Sequence, residues 1–382
     1  MEIKIDFMQC LETDMIINIL LCLTDPTDLV RAGAVSRFWR QFMIENGISK
    51  KVCLRKFPQL SSIAWVVEQG CRPSESYVGC TSCTNPELES PRTEHKVYAS
   101  LLKATQTLLA SSPTESIDRA IGASSTDNFP LESISNTLYP RESYMGTASY
   151  WSSKGQRNPD VPETLIYKLK ADFGVVTEFR IQPFEAFFQP GKPIYSAKSV
   201  RFRVGHPKSP TEISSLELPT QHPVNDKFVW TYTSEEFLMT QESCLQAFKL
   251  PEPVLCIGGF IQIELIGRVQ TQEMDDLFYI CVSHVKVGGR PLSPGFDVQM
   301  LEQQESSGKF SMTYNHEMFQ CMLTTLADGE DDDLSRLFGQ DERNVGLLGY
   351  LLGGVQQPVH MHPWEDDDDD SDEEMEFVLH DD

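Results

Sequence analysis

Between Leu11 and Trp39 the sequence LETDMIINILLCLTDPTDLVRAGAVSRFW crowds three short helices, and more apolar residues than such helices can hide, into under thirty positions. Thr13 is placed to cap a first helix, with Asp14 near its positive end, and Met15, Ile16, Ile19, Leu20 and Leu23 recur with helical spacing. Asp25 as cap, Pro26 at the first helical position and Asp28 in the first turn open a second helix whose apolar side is Leu29, Ala32 and Val35. Ser36 caps a third, which carries Phe38, Trp39, Phe42 and Met43 and runs to Gly47. Units below roughly 40 residues seldom bury enough surface to stand alone. The stretch is therefore expected to need a partner polypeptide.

The spacing also carries a resemblance. Leu11, Asp14, Ile19-Leu20 with Leu23, Asp25-Pro26 with Asp28-Leu29, and Val35-Ser36-Arg37 with Trp39-Arg40 resemble the F-box; Glu12 stands where that family usually has a proline. The resemblance implies a three-helix unit that interdigitates with the Skp-type adaptor of a cullin-RING ubiquitin ligase, while the rest of the chain holds a substrate. It implies adaptor contacts at Leu11, Ile16, Ile19, Leu20, Leu23, Leu29, Val35, Ser36 and Trp39, with Trp39 as anchor.

The formal net charge of -24 is concentrated: twelve acidic residues and no Lys or Arg lie between Glu365 and Asp382. No basic run exceeds Lys50-Lys51, which argues against nucleic acid, since displacing counterions needs a basic patch. The run Ile16 to Leu23 is too short to span a bilayer, and Met1 to Met8 mixes acids with a lysine, so neither a membrane span nor a secretory leader is expected. The expected location is cytoplasmic, nuclear or both. There the ten cysteines are expected as thiols.

Downstream, Ser49 is placed to cap a fourth helix through Phe57, stopped by Pro58. Trp65 to Pro91 reads as a loop-rich connection that contains Cys80-Thr81-Ser82-Cys83, with Cys71 before it and His95 after it. Four such ligands could hold tetrahedral zinc, but a loop cysteine pair without metal is the commoner case, so no metal or cofactor is assigned. From Thr93, Val97, Leu101, Leu102, Thr105, Leu108 and Leu109 mark a helix up to Ser111. Two roles stay open for it: a spacer that sets the F-box at a distance, or an ordinary packing helix of the next domain.

From Ile117 to Pro291 the period becomes two. Val175 to Ile181, Val200 to Val204 and Ile261 to Leu265 alternate, and Thr164 to Leu169, Phe228 to Thr233, Gln246 to Leu250 and Phe278 to Val287 add further strands. Short strands without alternating helices predict an antiparallel β-sandwich of jelly-roll type. In the last strand Phe278, Ile280 and Val282 share one phase while Val285 and Val287 fall on the other, which predicts a bulge near Ser283-His284.

The small-polar segment Ala123 to Thr126, the turn Tyr150-Trp151-Ser152-Ser153, and the pair Gln246 to Leu250 and Ile261 to Gly267 resemble galactose-binding-like, discoidin-type sandwiches. With the F-box, the arrangement looks like a family of plant F-box proteins. A substrate surface is expected on two loops that are aromatic and polar at once: Trp151, Arg157, Asn158 and Asp160 in one, and Phe187, Phe188 and Gln189 in the other. Trp151 also has the ordinary reading of a core plug, and the surface suits a protein segment better than a glycan. The histidines are scattered, no nucleophile elbow appears, and Gly258-Gly259 and Gly288-Gly289 read as turns, so no catalytic residue is assigned.

After Leu292, Val298 to Gln304 and Phe310 to Tyr314 are short elements, Met318 to Leu326 a helix, and Leu347 to Leu352 an apolar patch. Asp366 to Glu374 lacks the apolar residues that would offset chain entropy and is expected to be disordered, serving solubility or attracting a basic partner, with Ser371 as a kinase site. The expected fold is α+β multidomain: F-box and following helix over 1–58, linker with spacer helix over 59–116, sandwich over 117–291, extension over 292–363 and acidic tail over 364–382. The function expected is a non-catalytic substrate adaptor of an SCF-type ligase with an unknown protein substrate. The alternative is a stand-alone lectin-like or basic-protein-binding module.

Overall fold

The alternating strands of the sequence become two antiparallel sheets whose apolar faces meet. In the computed structural model, residues 6–69, 86–140, 143–144, 147–209, 225–301 and 308–327 are described. The front sheet comprises β2 (Ile117–Ala123), β3 (Glu163–Leu169), β5 (Ala197–Pro207), β6 (Phe228–Thr233) and β8 (Phe260–Arg268) in the order β6-β5-β8-β3-β2, with Phe237–Leu238 added against β5. The back sheet runs β7 (Gln246–Ile257), β4 (Phe173–Glu185), β9 (Cys281–Pro291), then Thr114–Glu115, with Trp151–Ser152 against β9. Phe179 of β4 stacks on Phe202 of β5 at 4.0 Å between ring centroids, joining the sheets at mid-core. Val176, Ile181, Val200, Val204, Ile261, Ile263, Val285 and Val287 fill the same layer.

The predicted bulge is present. Val282 opposes Pro183 and His284 opposes Gln182, so Ser283 is the extra residue that switches the inward phase from Val282 to Val285 and Val287. The strand Ile117–Ala123 was not signalled, because IDRAIGA lacks the bulky β-branched alternation that marks the others.

The helical region begins as the sequence predicts, with α1 (Thr13–Leu21), α2 (Pro26–Val35), α3 (Arg37–Glu45) and α4 (Ile48–Lys56). Asp25 accepts from the Thr27 amide at 2.7 Å and Ser36 from the Trp39 amide at 3.2 Å, so both expected caps hold. Two do not. Glu12, without a side-chain bond, precedes α1 in place of Thr13, and Gly47 precedes α4 in place of Ser49. Gly47 takes φ of +58°, a left-handed conformation that L side chains rarely adopt, and thereby turns α3 into α4. Ser49 is spent elsewhere: its hydroxyl lies 3.1 Å from His95 Nδ1.

Two expectations for the linker change. Ile63–Gln69 is a strand, β1, not the start of a loop, and it pairs in parallel with β11 (Phe310–Asn315), which pairs antiparallel with β10 (Phe296–Met300). The helix expected from Thr93 is α5 (Pro86–Ala110), which packs on α2, α3, α4 and β1. It is thus a packing helix of the N-terminal region, with Val97, Tyr98, Leu101, Leu102, Ala104, Thr105 and Leu108 buried. The helix α6 (His316–Ala327) also packs on α5. The cysteines Cys71, Cys80 and Cys83 of the zinc-like pattern, the patch Leu347–Leu352, Ser371 and the acidic tail lie outside the described residues.

Candidate functional site

Helices α1 to α3 carry two apolar faces, and among the described residues only one finds cover. Ile16 and Leu20 of α1, Leu29 and Ala32 of α2, and Phe42 and Met43 of α3 are buried in a unit completed by α4 and α5. The other face stays open: Met15 and Ile19 on α1, Val30 and Val35 on α2 (67% and 61% exposed), Phe38 on α3 and Phe7 before α1. Met15 and Ile19 stand four residues apart and form one ridge, as do Ile16 and Leu20 on the inner side. A helix that is apolar on both sides needs two neighbours.

The structure therefore divides the nine expected docking residues. Ile19 and Val35 are exposed; Leu11, Leu23, Ser36 and Trp39 are half-buried; Ile16, Leu20 and Leu29 belong to the inner core. Trp39, expected as the anchor, is already engaged. Its Nε1 donates to both carboxylate oxygens of Asp6 at 3.0 Å, and its ring meets Phe7 edge-on at 5.4 Å. Phe7, Met15, Val30 and Phe38 are open residues outside the expected docking set, because sequence marks both apolar rows of a helix, Met15 and Phe38 among them, and does not say which one faces home.

At the sandwich, the two expected loops meet through aromatic rings. Tyr150 stacks on Phe184 at 3.9 Å, and Phe187 and Phe188 lie 6.3 and 6.1 Å from Phe184, both about half exposed. Gln189 is half-buried and accepts from Tyr195 Oη at 2.7 Å. Trp151 has no face to offer a ligand: it is fully buried, with Nε1 donating to the Ser125 carbonyl at 3.1 Å, so its core reading holds. Arg157, Asn158 and Asp160 are exposed, but Asn158 Oδ1 is taken by the Asp160 amide at 3.0 Å in a local turn.

That turn is held from beneath by Arg268, which is 1% exposed. Its guanidinium donates to Ser153 Oγ at 2.8 Å, to the carbonyls of Lys154, Phe278 and Val161 at 2.9, 3.0 and 3.2 Å, and to the Glu163 carboxylate. Carboxylates not singled out by the sequence gather beside the rings. Glu132 accepts from Tyr150 Oη and Asp275 from Tyr279 Oη, each at 2.7 Å. Partial burial, then the negative charges of Glu132 and Asp275, raise the Asp127 pKa above the usual carboxylate value.

Among the described residues no three His, Cys, Asp or Glu side chains are grouped to hold a metal ion. None of the described helices is long and apolar enough to cross a membrane. His95 is half-buried beside Ser49, and its pKa is lowered by burial and then by Arg40.

Residues 13–55 match the family description "F-box-like". The curated relative "F-box protein At4g00755" of Arabidopsis thaliana is 49% identical over 318 residues, an alignment that covers 81% of this chain and 83% of the relative. Solved structures that overlay on part of the chain include the family 32 carbohydrate-binding module of Clostridium perfringens NanJ, in complex with galactose, at 13% identity and a TM-score of 0.28 over 44% of this chain and 98% of the module. The family 32 module of Streptococcus pneumoniae EndoD overlays at 11% identity and a TM-score of 0.30, over 46% of this chain and 98% of that one. Overlaps of this size carry no argument, and the sandwich stands on its own strand pairing.

Proposed function

Because the chain belongs to the F-box protein family, we propose that it is the substrate-recognition adaptor of an SCF-type cullin-RING ubiquitin ligase. Its helices dock on the Skp-type subunit, its sandwich holds a protein substrate, and the chemistry of ubiquitin transfer belongs to other subunits. The mechanism is proximity: a chain that joins a docking face to a binding face raises the effective concentration of substrate at the transfer site. Such a complex would act in the cytoplasm, the nucleus or both.

The observation that carries this reading is the second apolar face of α1 to α3, where Met15, Ile19, Val30, Val35 and Phe38 are exposed. Interface energy concentrates in a few buried apolar anchors, so a charge set among them is costly to binding and nearly harmless to a surface that is already wet. Full-length chain carrying Ile19→Asp or Val35→Asp, co-expressed with the Skp-type subunit, is expected to keep its melting temperature and to bind at least about tenfold more weakly, or about 1.4 kcal/mol. Undiminished co-purification of both variants would remove the adaptor role and leave a stand-alone binding module. For the substrate we assign the loop end of the sandwich, where Phe187 and Phe188 are exposed beside Tyr150.

A further inference from the structure

A cleft of about 440 Å³ opens between the end of α5 and the outer face of the back sheet, away from the loops assigned above. One wall is apolar and comes from Leu108, Leu109 and Pro113. The other is built on three neighbouring strands and carries Arg180 of β4, Lys249 of β7 and Arg290 of β9.

The strand register sets these cations close together. Arg180 lies directly opposite Lys286 on β9, and Lys249 directly opposite Glu178 on β4, pairs whose Cβ atoms stand about 5 Å apart. Like charges directly opposite one another on neighbouring strands are destabilising. Four cations thus share this face. Glu178 pairs with Arg180 at 2.6 Å and offsets it, and Glu115 Oε1 accepts from the amides of Ile117 and Val287 at 3.1 and 3.2 Å, which leaves Lys249 and Lys286 without an ion pair among the described residues.

The floor is kept low by two glycines. A Cβ on Gly288 would lie 2.5 Å from Glu178 Cγ, and one on Gly289 would lie 2.5 Å from the Val175 carbonyl oxygen. Charges more than about 8 Å away are largely screened at physiological salt, so the local cations set the potential that a ligand meets.

We propose that this cleft binds an extended acidic polypeptide segment, with carboxylate or phosphorylated side chains on the wall of Lys249 and Arg180, next to Lys286 on the same sheet face, and an apolar residue against Leu108 and Leu109. A bare inorganic anion would use only the cations. The apolar wall and the size of the cleft, within the roughly 300–1,000 Å³ common to ligand sites, fit a ligand that also brings hydrocarbon.

The test uses the full-length chain and a fluorescein-labelled peptide of alternating Asp and Leu, followed by fluorescence anisotropy. Saturable binding that weakens as salt rises is expected, reduced at least about tenfold by Lys249→Glu. Lys249 is exposed, but a Glu there would stand opposite Glu178, so Lys249→Gln is measured beside it and should keep the melting temperature while also weakening binding. Leu109→Asp, on the opposite wall, should also weaken binding. Should it unfold the chain, Lys249→Glu decides alone. Equal affinity of wild type and Lys249→Glu would overturn the proposal, as would equal binding of a Lys and Leu peptide or tighter binding of a single-stranded oligonucleotide. Lys249→Glu should still co-purify with the Skp-type subunit, so failure here is distinct from failure of the adaptor reading.

Discussion

Arg268 shows what a single side chain can settle without leaving a trace in sequence pattern. It ends the strand β8, just after a glycine, where nothing in the alternation distinguishes it from a surface arginine, yet its guanidinium gathers the turn after Trp151, the start of β3 and Phe278. Removing one partner of a buried ion pair leaves the other uncompensated, at a cost of about 3–5 kcal/mol. Lysine cannot reproduce the planar fork. Arg268→Met, which removes the charge, is therefore expected to lower the unfolding free energy from urea titration by about 3–5 kcal/mol, and Arg268→Lys by less; a midpoint within error of wild type for both would show that the clamp is dispensable.

Three histidines argue a second residue-scale outcome. Burial lowers the pKa of His95, His206 and His284, against which the carbonyls of Pro207 and Thr137 raise the latter two. The folded state thus holds fewer protons than the unfolded one once pH drops below about 6.5, and stability falls as pH falls through that point toward the folded values. Above it these groups contribute no slope. Asp127 and Asp297, whose pKa values are raised by burial, act in the opposite sense but from the carboxylate range. A urea midpoint lower at pH 5.5 than at pH 7.5 is expected, with the difference reduced in His206→Asn.

At the scale of elements, legibility followed periodicity. The helices of the first fifty residues and the strands with branched alternation could be read directly, and even the bulge at Ser283 announced itself as a change of phase. The strand β1 did not. As an edge strand its run of Ile63, Ala64, Trp65, Val66 and Val67 shows no alternation, with Trp65 and Val67 exposed, and its partner lies in β11. Pairing across such a distance has no local signal. The same holds for the cleft and the carboxylates near Tyr150, which strand register and loop packing bring together. Met312 of β11, opposite Val66 and fully buried, tests this small sheet. Met312→Ala should cost about 2–5 kcal/mol in chemical denaturation, whereas a surface extension would lose almost nothing.

For the whole molecule, the expected separation into linker and extension does not describe how the chain is joined. The strands β10 and β11 and the helix α6 pack with β1 and α5, so residues after 292 complete a layer that begins before residue 70. A chain ending at Pro291 should consequently aggregate or melt well below the full-length protein, while one ending at Ala327 should melt with it. Equal melting of both shortened chains would show that the small sheet adds nothing to the rest.

The parallel union of Ile63–Gln69 with Phe310–Asn315 imposes an order on synthesis. A ribosome adding about 5–20 residues per second needs on the order of ten to fifty seconds between the two strands. Throughout that interval α5 lacks the cover that α6 gives it, and both edges of Ile63–Gln69 are open to a wrong strand.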